Sequence, residues 1–353
     1  MNRTPIIAIT SAAVLATACG YTYPGDYVPD GATVDAAASD AALDSSVDST
    51  PSGPPLIAFT STRTGNRDIF TMHVDGSTAT NVTNDPATDS TPLWSPRGDR
   101  LAFLSNRTGT QELFVMRPDG TGVTGISRGQ AESPVWSPDG TRIAFTSTRS
   151  GKAQLYVGNV DGNAPAPISS ETTTTSYLEA DWSPDGSRFV YTTGDSLVVA
   201  NADGTGRQVI GTGLYTAPRW SSNGNRVAVL QRLMLYYELF VVNADGSNQA
   251  NLTNTPMASE TDPRWAAAED LLVVVGGIPG NSEITIVTTG GGRADRTMTQ
   301  ASDSHPRWSG DGSLILFESQ GDVFTVPGIG PRTLVNLTND PAMDGEAVWQ
   351  PSP

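Results

Sequence analysis

Every tryptophan of the chain, Trp94, Trp136, Trp182, Trp220, Trp265, Trp308 and Trp349, lies 38 to 46 residues from the next. A Trp is usually followed by a tight reversal, as in "WSPRGD", "WSPDGT", "WSPDGS", "WSSNGN" and "WSGDGS". Pro and Asp initiate such turns, and Gly supplies the positive φ they need. Two short apolar runs come next, for example "LAF" then "ELFVM". A second Gly-rich turn and a third run such as "NVT" or "NLT" close the unit. Runs of three to six residues rich in Val, Ile, Phe and Tyr between turn signals are short strands. Each unit therefore contains four antiparallel strands. The middle strands are apolar on both faces, so both faces must be covered. Four-stranded sheets repeating every 40–45 residues, each covered by its neighbours, describe a β-propeller.

The ends of the repeat region give the blade count. The first unit, from Leu56, has three strands and no Trp strand before it, and the last Trp strand, at Trp349, is followed only by "QPSP". This offset predicts an all-β ring of seven blades, four antiparallel strands each, closed by the C-terminal strand joining the first blade. Six blades is the alternative, because the unit at 187–220 is short and the sixth unit has weak turns.

Before the repeats the chain changes character. "MNRT" carries one positive charge and "PIIAITSAAVLATA" is apolar but too short to span a bilayer, so residues 1–18 read as a signal peptide. The cut falls before Cys19, the only cysteine, which excludes an intrachain disulfide. "LATAC" resembles a bacterial lipobox, with Ala16 where Leu is preferred, and the resemblance implies acylation of Cys19. Gly20 instead of Asp after the Cys then implies sorting to the outer membrane, on its periplasmic or surface face. Residues 20–55 hold six Asp and no Lys or Arg, a composition that stays disordered. With Cys19 they form an acidic tether, 19–55, spanning roughly 30–35 Å as a coil. The propeller occupies 56–353. A net charge of −16 argues against nucleic acid, which needs a basic face.

"PVWSPDGTRIAFTSTRSGKAQLYVGNVDG" and "PLWSPRGDRLAFLSNRTGTQELFVMRPDG" resemble the repeat of TolB-like propellers, over about 56–353. TolB itself carries an α/β domain before its propeller, where this chain has the tether, so the full role of TolB is not expected. Hydrolases with similar propellers carry a separate catalytic domain with a G-x-S-x-G elbow, and no such motif is expected here. Oligogalacturonide lyases resemble the fold too but hold a metal through clustered histidines. This chain has two, His73 and His305, and His73 reads as an edge residue. A non-catalytic role is expected.

In TolB-like propellers the Trp strand is innermost, so residues three to five places before it lie at one channel mouth. Asp89, Glu132, Glu179, Glu260, Asp262, Asp303, Asp344 and Glu346 stand there, with His305 alongside; only "YTAPRW" lacks an acid. A ring of negative charge with low-dielectric walls focuses its field on the opening. The ring suits a cation or a basic peptide, and the resemblance implies peptide binding at that mouth and calcium in the channel. The repeated Ser-x-Arg-x-Gly segments (Arg63, Arg107 and Arg149) read as structural, with Arg bonding to loop carbonyls. The "N-x-D-G" turns at Asn159, Asn201 and Asn243 lack the further ligands of a calcium loop and read as hairpins. The expected protein is a monomer, held to the membrane by its lipid alone, that binds a protein or peptide partner. The alternatives are a carbohydrate-active or hydrolytic enzyme and a small-ligand sensor.

Overall fold

The computed structural model of the protein describes residues 54–168, 179–255, 257–267, 270–278 and 280–351. The signal peptide, Cys19 and the tether as far as Gly53 lie outside the described residues. The described residues form 28 strands in seven four-stranded antiparallel sheets and no α-helix. Six blades take four consecutive strands each: β4(Asp89–Trp94) to β7(Thr124–Gly125) form one, and β24(Asp303–Trp308) to β27(Val335–Asn336) form the last of them. The remaining blade pairs β28(Asp344–Trp349) with β1(Leu56–Ser61), followed by β2(Asp68–His73) and β3(Thr80–Asn81). Seven blades closed by the C-terminal strand are thus observed, and six are not.

The core is divided into seven clusters, each shared by two adjacent blades. One joins Leu104 and Leu113 to Trp136 and Phe145. The cluster that joins the last blade to the first combines Leu316 and Val323 with Ile57, Phe59 and Trp349. The Trp rings belong to these interfaces. The indoles of Trp136, Trp182, Trp265 and Trp349 donate to main-chain carbonyls of the preceding blade at 3.1–3.3 Å. Arg142, Arg188 and Arg226, each from the preceding blade, lie over the rings of Trp182, Trp220 and Trp265. The tryptophans recur because every blade boundary needs a wide apolar plate; the indole N–H of four also bonds across the boundary, whereas those of Trp94, Trp220 and Trp308 are buried without a partner.

The outer turns also serve the boundaries. Gly120 and Gly204 have φ of 83° and 84°, and a Cβ on either would stand 2.2 or 2.0 Å from the carbonyl oxygen of Val82 or Ile168 in the preceding blade. The "D-G" dipeptides meet both needs, a left-handed turn and close backbone approach. The "N-x-D-G" turns are hairpins as expected: Asn201 and Asn243 donate to Thr205 and Ser247 across the turn.

Candidate functional site

The site lies along the innermost strands: β4, β8(Glu132–Trp136), β12(Ala180–Trp182), β16(Tyr215–Trp220), β20(Ser259–Trp265), β24 and β28. Each is the strand of its blade that approaches the innermost strands beside it. Six of the seven pair irregularly with the second strand of the blade, two residues opposing one just before the Trp. This bulge places Thr91, Ser133, Ala217, Asp262, His305 and Glu346 at φ between 48° and 54°. Such conformations are costly away from Gly and persist only where the surroundings impose them. The extra residue also changes which way side chains point. Asp89, Ala131, Tyr215, Glu260, Asp303 and Asp344, five places before Trp, tuck into the blade, whereas the polar residues three places and one place before it stand partly exposed on the channel side.

The predicted ring therefore separates into two sets. Asp89, Glu260, Asp303 and Asp344, five places before Trp, are 0–4 % exposed. Arg107 Nη2 donates to both oxygens of Asp89 at 3.2 Å, and Arg63 Nη2 to both of Asp344 at 3.0 and 2.9 Å. The Nε of each arginine donates to the Ser two residues before it. Each guanidinium also lies over an aromatic pair, Phe59 and Phe70 or Phe103 and Phe114. The Ser-x-Arg-x-Gly segment is structural, but its arginine holds a carboxylate in two blades. Only Arg149, whose blade has Ala131 in place of the acid, reaches a carbonyl, that of Gln130 at 3.4 Å. Burial pushes the Asp89 carboxyl up, against its bonds to Ser105 and Thr83 and the charge of Arg107. Glu260 is also pushed up by burial, with Glu238 nearby adding like charge against bonds from Thr255 and Thr253.

The second set faces the channel. Glu179 accepts from the hydroxyl of Thr216 at 2.7 Å and from the Ala217 N–H. Glu346 accepts from the Thr91 N–H at 2.8 Å. Both join adjacent blades through an N–H that the bulge turns inward. Glu318, at the end of β25(Leu314–Ser319), plays the same part for the Glu346 N–H and bonds His305 Nδ1 at 3.1 Å. That bond raises the His305 pKa above its usual value. Glu132 accepts from Gln130 at 3.2 Å. His305, Asp344 and Glu346 come together with Arg67 and Glu318 around a cavity of about 290 Å³ at the junction of the first and last blades. His73 lies at the far end of β2, bonded to Ser77 at 3.3 Å, and does not join them.

These carboxylates do not fit a calcium cage. Their oxygens are spent on guanidiniums, hydroxyls and backbone N–H groups. Among the described residues no three His, Cys, Asp or Glu side chains converge as a metal requires. Melting scans in millimolar calcium and in EDTA are accordingly expected to superimpose; a calcium-dependent rise of several degrees would reinstate the ion.

One expectation is corrected. Gly125–Gly129 reads "GISRG", a G-x-S-x-G sequence. It is not an elbow: Ser127 is fully buried beside the outermost strand of its blade, and its hydroxyl bonds the Leu113 N–H and the Gly129 carbonyl. No helix follows it, and no acceptor for its proton other than that carbonyl is in place.

Arg219, Arg264 and Arg307, with Asp181, are the channel residues the acid pattern missed. All four stand one place before Trp, on four successive blades. The thrice-repeated "PRW" was the available signal.

The fold and channel define a closed seven-bladed propeller of the Trp-marked repeat type. Residues 86–213 match the TolB beta propeller domain family, and the propeller is TolB-like. No curated protein matches the chain. TolB from Acinetobacter baumannii superposes with a TM-score of 0.55 at 16 % identity, over 84 % of this chain and 66 % of that one. Oligogalacturonate lyase from Vibrio parahaemolyticus gives 0.57 at 12 %, over 80 % and 84 %. A puromycin-hydrolyzing peptidase of Mycobacterium tuberculosis gives 0.60 at 14 %, over 77 % of this chain and 50 % of that chain. At these identities the likeness is one of fold alone, and one fold hosts many functions. The chain spans just under two thirds of the TolB structure and half of the peptidase.

Proposed function

We propose that the protein is a non-catalytic binding module of the cell envelope that takes a protein or peptide partner on the channel-mouth face. The observation that supports this reading is the distribution of exposed apolar side chains around that mouth. The innermost strands begin on the face where the second and third strands of each blade turn. There one of the two longest hairpins, between β17(Arg226–Leu233) and β18(Tyr236–Asn243), carries Leu233, Met234 and Leu235 at its tip, 41 %, 94 % and 75 % exposed. Met257, Met298 and Met343 stand exposed on connections that reach the same face. Flexible methionines beside an apolar hairpin suit a partner surface. The mixed cavity of Arg67, His305, Glu318 and Glu346 adds polar contacts at its edge. An enzymatic reading has no comparable support, because Ser127 is buried and the carboxylates are braced.

Membrane attachment through an acylated Cys19 and the tether, with the outer membrane as destination, is part of the same proposal; it rests on "LATAC" and Gly20. The test places a photo-cross-linking residue at Met234 or Met257, and at Val123 or Ile329 on the opposite face, in cells carrying the native chain. A single species captured from the mouth positions alone, and identified by mass spectrometry, is expected. Capture from Val123 or Ile329 instead would overturn the assignment of the face.

A further inference from the structure

We infer that the channel holds a binding site for an organic carboxylate, built by Arg219, Arg264 and Arg307. The three stand at one register on β16, β20 and β24, whose blades are consecutive. They are close enough for Arg264 to feel the other two as like charges. They face two counter-charges for three cations: Asp262, which feels all three, and the buried Asp181, on which Arg219 acts most. Asp262 serves two, bonding Arg264 at 2.6 Å and Arg307 at 2.7 Å. Asp181 gives an oxygen to the Trp220 N–H at 2.8 Å. Arg219 donates only to the adjacent Pro218 carbonyl, at 2.7 Å. The Nε atoms of Arg219 and Arg264 are buried without a partner.

An unmatched guanidinium in a confined site is expensive, and a planar anion that accepts two parallel N–H bonds relieves it. Solvent reaches the site, because the side chains of Arg264 and Arg307 are 25 % and 22 % exposed. The same register on the other three blades is apolar: Leu93, Val135 and Val348, all partly buried. This register thus carries three guanidiniums and Asp181 on four blades and aliphatic side chains, packed against the blade boundaries, on the other three, and it favours a carboxylate with an apolar body over inorganic phosphate. Two sources fit that chemistry, a free aliphatic acid and the C-terminus of a peptide. The inference does not rest on the proposed partner, since a small acid needs no protein contact.

The test follows the thermal midpoint of the full chain in hexanoate, in a short peptide ending in leucine with a free or amidated terminus, and in phosphate, against chloride at equal ionic strength. A saturable rise with hexanoate or with the free-acid peptide is expected, and which of the two gives it identifies the source. Arg219 is the cation acting most on the buried Asp181, so Arg219→Met is made together with Asp181→Asn to strand no carboxylate; the pair is expected to fold and to weaken the response about tenfold, as loss of one charge-assisted contact does. Arg219→Lys keeps the charge without the fork and should fall between. Midpoints that match chloride throughout, a response to phosphate alone, or an unchanged response in the paired variant would each overturn the site. A confirmed acid response with no cross-linked partner at Met234 would leave this site standing while the proposed function fails.

Discussion

Removing residues 344–353 is expected to abolish soluble, cooperatively melting protein, although these are only the last ten residues. β28 pairs with β1 from Ile57↔Trp349 to Ser61↔Asp344. Without it, β1 becomes an open edge, apolar from Leu56 to Phe59, in a strand buried at five of six positions. Trp349 and Ala347 leave the cluster between the last and first blades, Arg63 loses Asp344, and the Thr91 N–H loses Glu346. Gln350, which donates to the Gly98 carbonyl at 2.7 Å and accepts from the Leu56 N–H at 2.9 Å, is lost too. A ring has no spare boundary, so one missing strand opens two interfaces, and an exposed apolar edge invites pairing between chains. The complementary result separates closure from mere shortening. The Gln350 N–H bonds the Leu56 carbonyl at 2.8 Å, so the two ends already meet. A circular permutant that starts at Asp89 and joins Gln350 to Leu56 through a few glycines should melt within a few degrees of the parent. A soluble truncation with the parent's melting curve would show that the last strand does not close the ring.

Closure of the ring was legible because it rests on counting: seven Trp strands and seven sets of three, displaced by one. Turns and strand order were legible because they are local and recur. The fate of the acids was not. Sequence places Asp89, Asp262 and Glu346 in one group near the Trp. The bulge then sends Asp89 into its blade and leaves Asp262 and Glu346 facing the channel, because a single extra residue inverts a period of two. No composition signal marks it, since Thr, Ser, Ala, Asp, His and Glu all occupy the left-handed position. The partners were equally hidden, with Arg107 lying 18 residues after Asp89 and Arg63 281 residues before Asp344. The "GISRG" segment misleads in the other direction, since its motif carries no strand–helix elbow. The three "PRW" segments needed only the known period to be read as one cationic patch.

The pairing of Arg107 with Asp89 makes a second large effect predictable. Arg107→Met is expected to destabilise the propeller by about 3–5 kcal/mol, the usual cost of removing one partner from a buried pair. For a domain of this size that corresponds to roughly 6–12 °C in melting temperature. The side chain of Asp89 is wholly inaccessible and that of Arg107 is 18 % exposed. Methionine preserves contact with Phe103 and Phe114, so what remains is a buried carboxylate without its cation. Asp89 already has a pKa raised by burial, and losing Arg107 raises it further. A raised carboxyl contributes stability below its unfolded pKa and loses it as pH climbs through the folded value. The deficit of Arg107→Met should therefore be largest near neutrality and shrink as pH falls through the raised pKa of Asp89. Adding Asp89→Asn removes the charge and should recover most of the loss at pH 7. Arg107→Lys should recover less, because an ammonium cannot serve the Ser105 hydroxyl, the carboxylate and two ring faces together. Calorimetry of the four proteins across pH decides it. A single variant that melts within 2 °C of the parent at pH 7, or a deficit that grows on acidification, would show that the arginine packs over the rings without holding the acid.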